Sequence, residues 1–189
     1  MNFNGKVAVI TGSSAGIGAE TAKKITSLGG KVTINYSRSS EAAEKIAHEC
    51  SQLGKNPLVI KADMSSDEGC KELIETTIRE LGSINVLVNN AGRTKFADHS
   101  DLNALSRKDF ESIMSLNLNS NYELIKYARP HLAKNNKSSV VNISSVAGLR
   151  GLGSSIAYAE SKGALNSMTL ALSRSLGPDG IRVNAVCPG

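Results

Sequence analysis

The sequence lacks tryptophan, and its 189 residues hold only four prolines, four tyrosines and three phenylalanines. So few aromatic rings, with lysines and arginines scattered along the chain, argue against a surface that stacks bases and tracks phosphates. No nucleic-acid partner is expected. The three cysteines, Cys50, Cys70 and Cys187, form an odd set without a Cys-x-x-Cys pair, and His48, His99 and His131 show no i, i+4 spacing. Neither a disulfide framework nor a metal site is expected. No apolar run approaches the ~20 residues that span a bilayer, and Lys6 interrupts the first apolar stretch, which is too short for a signal-peptide core. The expectation is a cytoplasmic protein without membrane attachment.

What is present suits one globular domain over residues 1–189. Apolar residues make up 40% and charged residues 21%, with 17 glycines. A chain of this length can bury roughly 70% of its unfolded surface. The net charge of +5 suits an anionic small molecule. No linker, repeat or low-complexity segment divides the chain, although the polar stretch 93–107 is long enough for a mobile loop.

Short β-branched apolar runs alternate with helical periodicity. The runs are KVAVIT (6–11), KVTIN (31–35), PLVIK (57–61), INVLV (84–88), SSVVNI (138–143) and IRVNAV (181–186). Between them, Ala22, Ile25 and Leu28, then Ala43, Ala47, Cys50 and Leu53, then Cys70, Ile74, Ile78 and Leu81 recur at helical spacing. Longer helices are expected around 109–134 and 155–176. Strands apolar on both faces, alternating with helices, predict a doubly wound α/β fold with a parallel sheet and right-handed crossovers. Its ligand belongs at the carboxyl ends of the strands.

The segment Thr11-Gly12-Ser13-Ser14-Ala15-Gly16-Ile17-Gly18 lies between the first strand and the first helix. There, glycines let backbone approach a pyrophosphate, and a helix N-terminus favours its charge. About 20 residues on, NAD enzymes place a carboxylate for the ribose 2′-hydroxyl. Here stand Asn35, Tyr36, Ser37 and Arg38. A hydroxyl and a guanidinium suit a 2′-phosphate, so NADP(H) is expected and NAD(H) is the alternative. Tyr158 and Lys162 share one helix face, where an ammonium can lower a phenol's pKa. Ser144 and Ser145 close a strand, where a hydroxyl can donate to a carbonyl oxygen.

Together these segments resemble the short-chain dehydrogenase/reductase family from Lys6 to Gly189, with its Rossmann-type sheet. Thr11–Gly18 resembles the family's cofactor loop, with Gly12, Ser14, Gly16, Ile17 and Gly18 as contacts. Asn89-Asn90-Ala91-Gly92 resembles the motif after the fourth strand and adds Asn90, Ala91 and Gly92. Asp63 and Met64 resemble its adenine-contacting pair, and Pro188-Gly189 its segment beside the nicotinamide. Asn117, Ser145, Tyr158 and Lys162 match the catalytic set, and the step of 13 residues to Tyr158 selects Ser145 over Ser144, which supports the turn.

The resemblance implies that Tyr158 protonates a carbonyl oxygen as hydride arrives, and that Ser145 polarises that oxygen. It also implies that Lys162 holds the nicotinamide ribose and that Asn117 fixes a water leading to Lys162. Asn117 bonding its own bent helix is the structural alternative. The expected activity is an NADPH-dependent carbonyl reductase similar to 3-oxoacyl-carrier-protein reductases or glucose 1-dehydrogenases, acting on a small carbonyl or alcohol substrate. A nucleotide-sugar epimerase would be expected to carry another glycine spacing and a longer chain; a non-catalytic dinucleotide-binding subunit or sensor is the remaining alternative. The family continues for roughly 60 residues past Pro-Gly, a length within the usual range of domain sizes. The sequence is therefore expected to be a fragment that lacks the last strand, the substrate loop and the last helix, with a natively short, catalytically impaired chain as the alternative. A homodimer or homotetramer is expected of the full-length protein, through the two long helices, with Ala157, Ala164, Leu165 and Met168 suited to close packing.

Overall fold

The computed structural model describes residues 2–135 and 137–189. Six parallel strands form one sheet in the order β3-β2-β1-β4-β5-β6: β1 (Val7–Ile10), β2 (Lys31–Tyr36), β3 (Leu58–Lys61), β4 (Val86–Asn89), β5 (Ser138–Ile143) and β6 (Ile181–Val186). The helices are α1 (Gly16–Ser27), α2 (Ser40–Leu53), α3 (Asp67–Leu81), α4 (Arg107–Met114), α5 (Ser120–Leu132), α6 (Ala147–Arg150) and α7 (Ile156–Leu176). Strand order reverses between β1, which leads to β2 and β3, and β4, which leads to β5 and β6. That switch point opens a crevice at the strands' carboxyl ends.

Side chains alternate across each strand and feed two apolar layers. Ala8 and Ile10 of β1 join Ala22, Val32, Ile34 and Val88 on one face. Val9 and Leu87 join Leu73, Ile74, Leu124 and Val140 on the other. The strands are thus covered on both sides, as their apolar runs predict. The edge strand β6 departs from this: it alternates buried Ile181 and Val183 with exposed Arg182 and Asn184. Cys50 and Cys70 are buried free thiols, and burial pushes the Cys70 thiol up to about 12.

The long helix expected around 109–134 is α4 running into α5 through a single wider π turn, Ser115–Asn119. The short α6 has no counterpart in the sequence reading. Ala157 and Leu165, expected at an intersubunit surface, are both fully buried within the chain. They fall on the inward stripe of α7, whereas Ala164 and Met168 face a shallow groove with Leu118 and Tyr122.

Candidate active site

The glycine loop is built by side chains behind it. Asn35, buried at the end of β2, accepts the Gly12 N–H through Oδ1 at 3.0 Å and donates Nδ2 to the Ala62 carbonyl at 3.0 Å. Ser13 points inward, its Oγ donating to the Ile10 carbonyl and accepting the Asn35 N–H. Asn90 donates Nδ2 to the carbonyls of Thr11 and Gly12, and Thr11 Oγ1 accepts the N–H groups of Asn90 and Ala91. Gly12 has φ +59°, and a Cβ there would lie 3.0 Å from Ala91 Cα; a Cβ on Gly18 would lie 2.5 Å from Asn90 Nδ2. The motifs at 11–18 and 89–92 are therefore one interlocked cradle. Sequence reasoning missed Asn35 and Thr11 as its fasteners, because their signal was a bare polar residue closing an apolar strand.

The cradle meets the requirements of a dinucleotide. No side chain caps α1, so its first N–H groups remain available to an anion, and no acidic residue stands in its first turn. Ser37 lines a smaller cavity of about 210 Å³ with Gly12, Asp63, Met64, Ala91 and Gly92. Arg38 is exposed at its edge of the sheet. Hydrogen bonds from the Ser65 N–H and hydroxyl hold the Asp63 carboxyl below the usual carboxylate range. Met64, at 3% exposure, belongs mainly to the core beneath that cavity.

The larger cavity, about 820 Å³, brings Gly92, Ser145, Tyr158, Lys162, Pro188 and Gly189 together. Ser145 Oγ accepts the Ala147 N–H at 3.1 Å, which leaves the hydroxyl proton free to donate. Ser144 is buried and donates Oγ to the Lys162 carbonyl at 3.1 Å, so it fastens β5 to α7 rather than bonding within the turn. Ser155 caps α7 by accepting the Tyr158 N–H. Lys162 Nζ lies 5.7 Å from the centroid of the Tyr158 ring and donates to the Ile143 carbonyl at 2.7 Å. Burial lowers the Lys162 pKa to about 8.

Asn117 occupies the π turn, yet its side chain does not bond its own helix. Oδ1 accepts the Arg93 N–H at 2.8 Å, and Nδ2 donates to the Arg93 carbonyl and to Ser161 Oγ. Ser161 in turn donates to the Tyr158 carbonyl. The helix carbonyl of Asn117 is taken by Asn121 Nδ2 at 2.9 Å. The loop after β4 is thereby fixed to the helix that carries Tyr158 and Lys162. The 93–107 stretch is further held by the Ala97 N–H donating to the Ser154 carbonyl and by an ion pair between Lys95 and Asp109.

A family model described as short chain dehydrogenase matches residues 6–189. The chain belongs to the short-chain dehydrogenase family. It is 41% identical over 183 residues to a Streptomyces violaceoruber protein named as the second ketoacyl reductase of the granaticin polyketide synthase, covering 97% of this chain and 72% of that relative. A 3-oxoacyl-[acyl-carrier-protein] reductase of Synechocystis is 33% identical over 184 residues, 97% of this chain and 73% of the relative. Among solved structures, a short chain dehydrogenase from Burkholderia cenocepacia in complex with NADP superposes with TM-score 0.93 at 32% identity, covering all of this chain and 76% of that one. An NAD⁺-bound xylitol dehydrogenase also superposes with TM-score 0.93, at 29% identity, over all of this chain and 72% of that one. Among the described residues of this dehydrogenase-family chain, no helix is long and apolar enough to cross a membrane, and no cluster of acidic, histidine or cysteine side chains could hold a metal.

Proposed function

We propose that this chain is an NADP(H)-dependent oxidoreductase that interconverts a carbonyl compound and a secondary alcohol. The observation that carries the reading is the convergence of Ser145, Tyr158 and Lys162 in one cavity that opens beside the glycine cradle. A bound nicotinamide dinucleotide supplies or accepts the hydride. The α1 N-terminus with Gly12, Ser14, Gly16, Ile17 and Gly18 would hold its pyrophosphate. Ser37 and Arg38 would hold a 2′-phosphate, Asp63 and Met64 the adenine end, and Asn90, Ala91, Gly92, Pro188 and Gly189 the nicotinamide half. Support for the phosphorylated cofactor comes from the absence of a carboxylate across Asn35–Arg38 and from the NADP held by the Burkholderia relative.

In this reading the Tyr158 hydroxyl gives its proton to the carbonyl oxygen during reduction and takes it back during oxidation. The free Ser145 proton donates to that oxygen and steadies its growing negative charge. Lys162 places a positive charge beside the phenol, holds the nicotinamide ribose, and can itself exchange a proton near neutral pH. Asn117, through Arg93 and Ser161, keeps the floor of the cavity in register with α7. The reading also includes self-association of the full-length protein through the outward faces of α5 and α7.

The test is NADPH oxidation followed at 340 nm with a panel of ketones. Tyr158→Phe should lower kcat by about 10²- to 10⁴-fold while NADPH still binds. A phenylalanine variant that turns over at the parental rate excludes the mechanism; a parent that binds NADPH and reduces nothing indicates a sensor.

A further inference from the structure

The large cavity is one-sided in its charge. Arg93, Arg150 and Lys162 line it, while no aspartate or glutamate does so among the described residues. Two of the three cations are committed: Lys162 Nζ to the Ile143 carbonyl, and Arg93 Nη1 to Ser112 Oγ at 2.9 Å. Arg150 is exposed, and among the described residues the arginines found in ion pairs are Arg79 and Arg129.

The surrounding wall is built rather than incidental. Arg150 ends α6, and the chain turns back through Gly151 and Gly153, both at positive φ. The turn is close: a Cβ on Gly153 would sit 3.0 Å from Ala147 Cβ and 3.9 Å from the Tyr158 ring. Leu152, at 62% exposure, lines the same cavity as Phe96, at 83%. Hydrogen bonds from Ala97 to the Ser154 carbonyl and between the Thr94 and Ser154 hydroxyls tie the two walls together. Among the described residues, a polar reacting end, the exposed apolar Phe96 and Leu152, and Arg150, for which no ion pair is found, thus share a single cavity.

We infer that Arg150 is a specificity-determining residue, and that the carbonyl substrate carries an apolar body ending in an anionic group, carboxylate or phosphate, that pairs with its guanidinium. The inference rests on the reductase reading only in placing the reacting oxygen at Tyr158. A guanidinium suits either oxyanion by paired hydrogen bonds. No aspartate or glutamate is among the described lining residues, so the field that those residues create favours an anion.

Binding to the NADPH-loaded full-length protein gives a test that needs no turnover. By calorimetry, octanoate and octyl phosphate should each bind about threefold to fivefold tighter than octanamide, the range of an exposed ion pair. That ratio should fall to near one in Arg150→Ala and below one in Arg150→Glu. Reduction should follow suit, with a higher kcat/KM for 7-oxooctanoate than for its methyl ester in the parent alone. Equal affinity of the parent for acid and amide overturns the inference. So does an Arg150→Ala variant that keeps the ratio but loses NADPH affinity, which would assign Arg150 to the cofactor. Preferred binding of the acids without reduction of any ketone would refute the reductase reading and leave the anion site standing.

Discussion

Lys162 shows how one residue can serve two demands that pull against each other. The residue is 4% exposed, and its ammonium has a backbone carbonyl for a partner but, among the described residues, no carboxylate. Burial without a counter-charge disfavours the charged form, and the pKa falls from 10.5 to about 8. Between those two values the unfolded chain holds a proton that the folded one has released, so stability rises with pH across that window. Below about pH 8 the folded state bears the full cost of a buried charge. Lys162→Met removes the titration while nearly keeping the volume. The stability of the variant relative to the parent, measured by urea unfolding, should therefore decline steadily as pH goes from 8 to 10.5. A difference that stays flat across that range would mean the folded lysine titrates as it does in water.

At the scale of elements, the site depends on how closely α6 lies against α7. A Cβ on Gly148 would fall 2.4 Å from the Lys162 carbonyl carbon and 2.6 Å from the Gly163 nitrogen, so the two helices touch backbone to backbone. Gly148→Ala must separate them, at a cost of about 1–3 kcal/mol as in other overpacked contacts. The same separation stretches the Ser144 bond to Lys162 and should reduce kcat beyond what the stability loss explains. Gly177→Ala is the matching control. Gly177 has φ −55°, with open space around its Cβ position. Gly177 stands in the α region just before Pro178, whose ring disfavours that region for a residue with a Cβ, so alanine there should destabilise the fold modestly while leaving kcat unaltered. Thermal melts and initial rates on the two variants check both statements.

These elements also mark how far the sequence could be read. The six strands and the α1, α2, α3 and α7 helices were legible because a covered parallel sheet demands continuous apolar runs and each helix a 3.6-residue stripe. The strand-end pair Ser144 and Ser145 and the i, i+4 pair Tyr158 and Lys162 were visible as candidates, while the choice of Ser145 with Tyr158 and Lys162 as a set came from the family resemblance. The π turn was not, because one extra residue in a helical turn scarcely alters an apolar stripe. Asn121, which satisfies the Asn117 carbonyl, was hidden with it. The helix α6 was too short to show periodicity. Its only trace was Gly148, a glycine in a small-residue run after the strand, which could have signalled close backbone approach.

For the whole molecule, the remaining question is what covers the outer face of α5 and α7. Inward stripes of both helices are spent on the core, where Leu124, Ala128, Leu132 and Leu165 are fully buried. Their outward side carries a groove of about 470 Å³ lined by Leu118, Tyr122, Ala164 and Met168, and Tyr122 is 51% exposed. Asn119, Glu123 and Ser167 complete the lining, and a mixed patch of apolar and polar groups of this kind suits a self-complementary contact between copies related by a two-fold axis. Met168→Glu would place a second carboxylate beside Glu123 in that groove, in both copies at once. Light scattering at micromolar concentration should find the full-length parent dimeric or larger and the glutamate variant shifted to monomer, with unchanged far-UV circular dichroism. A parent that is strictly monomeric, or a variant that assembles as the parent does, would remove this face from any account of assembly.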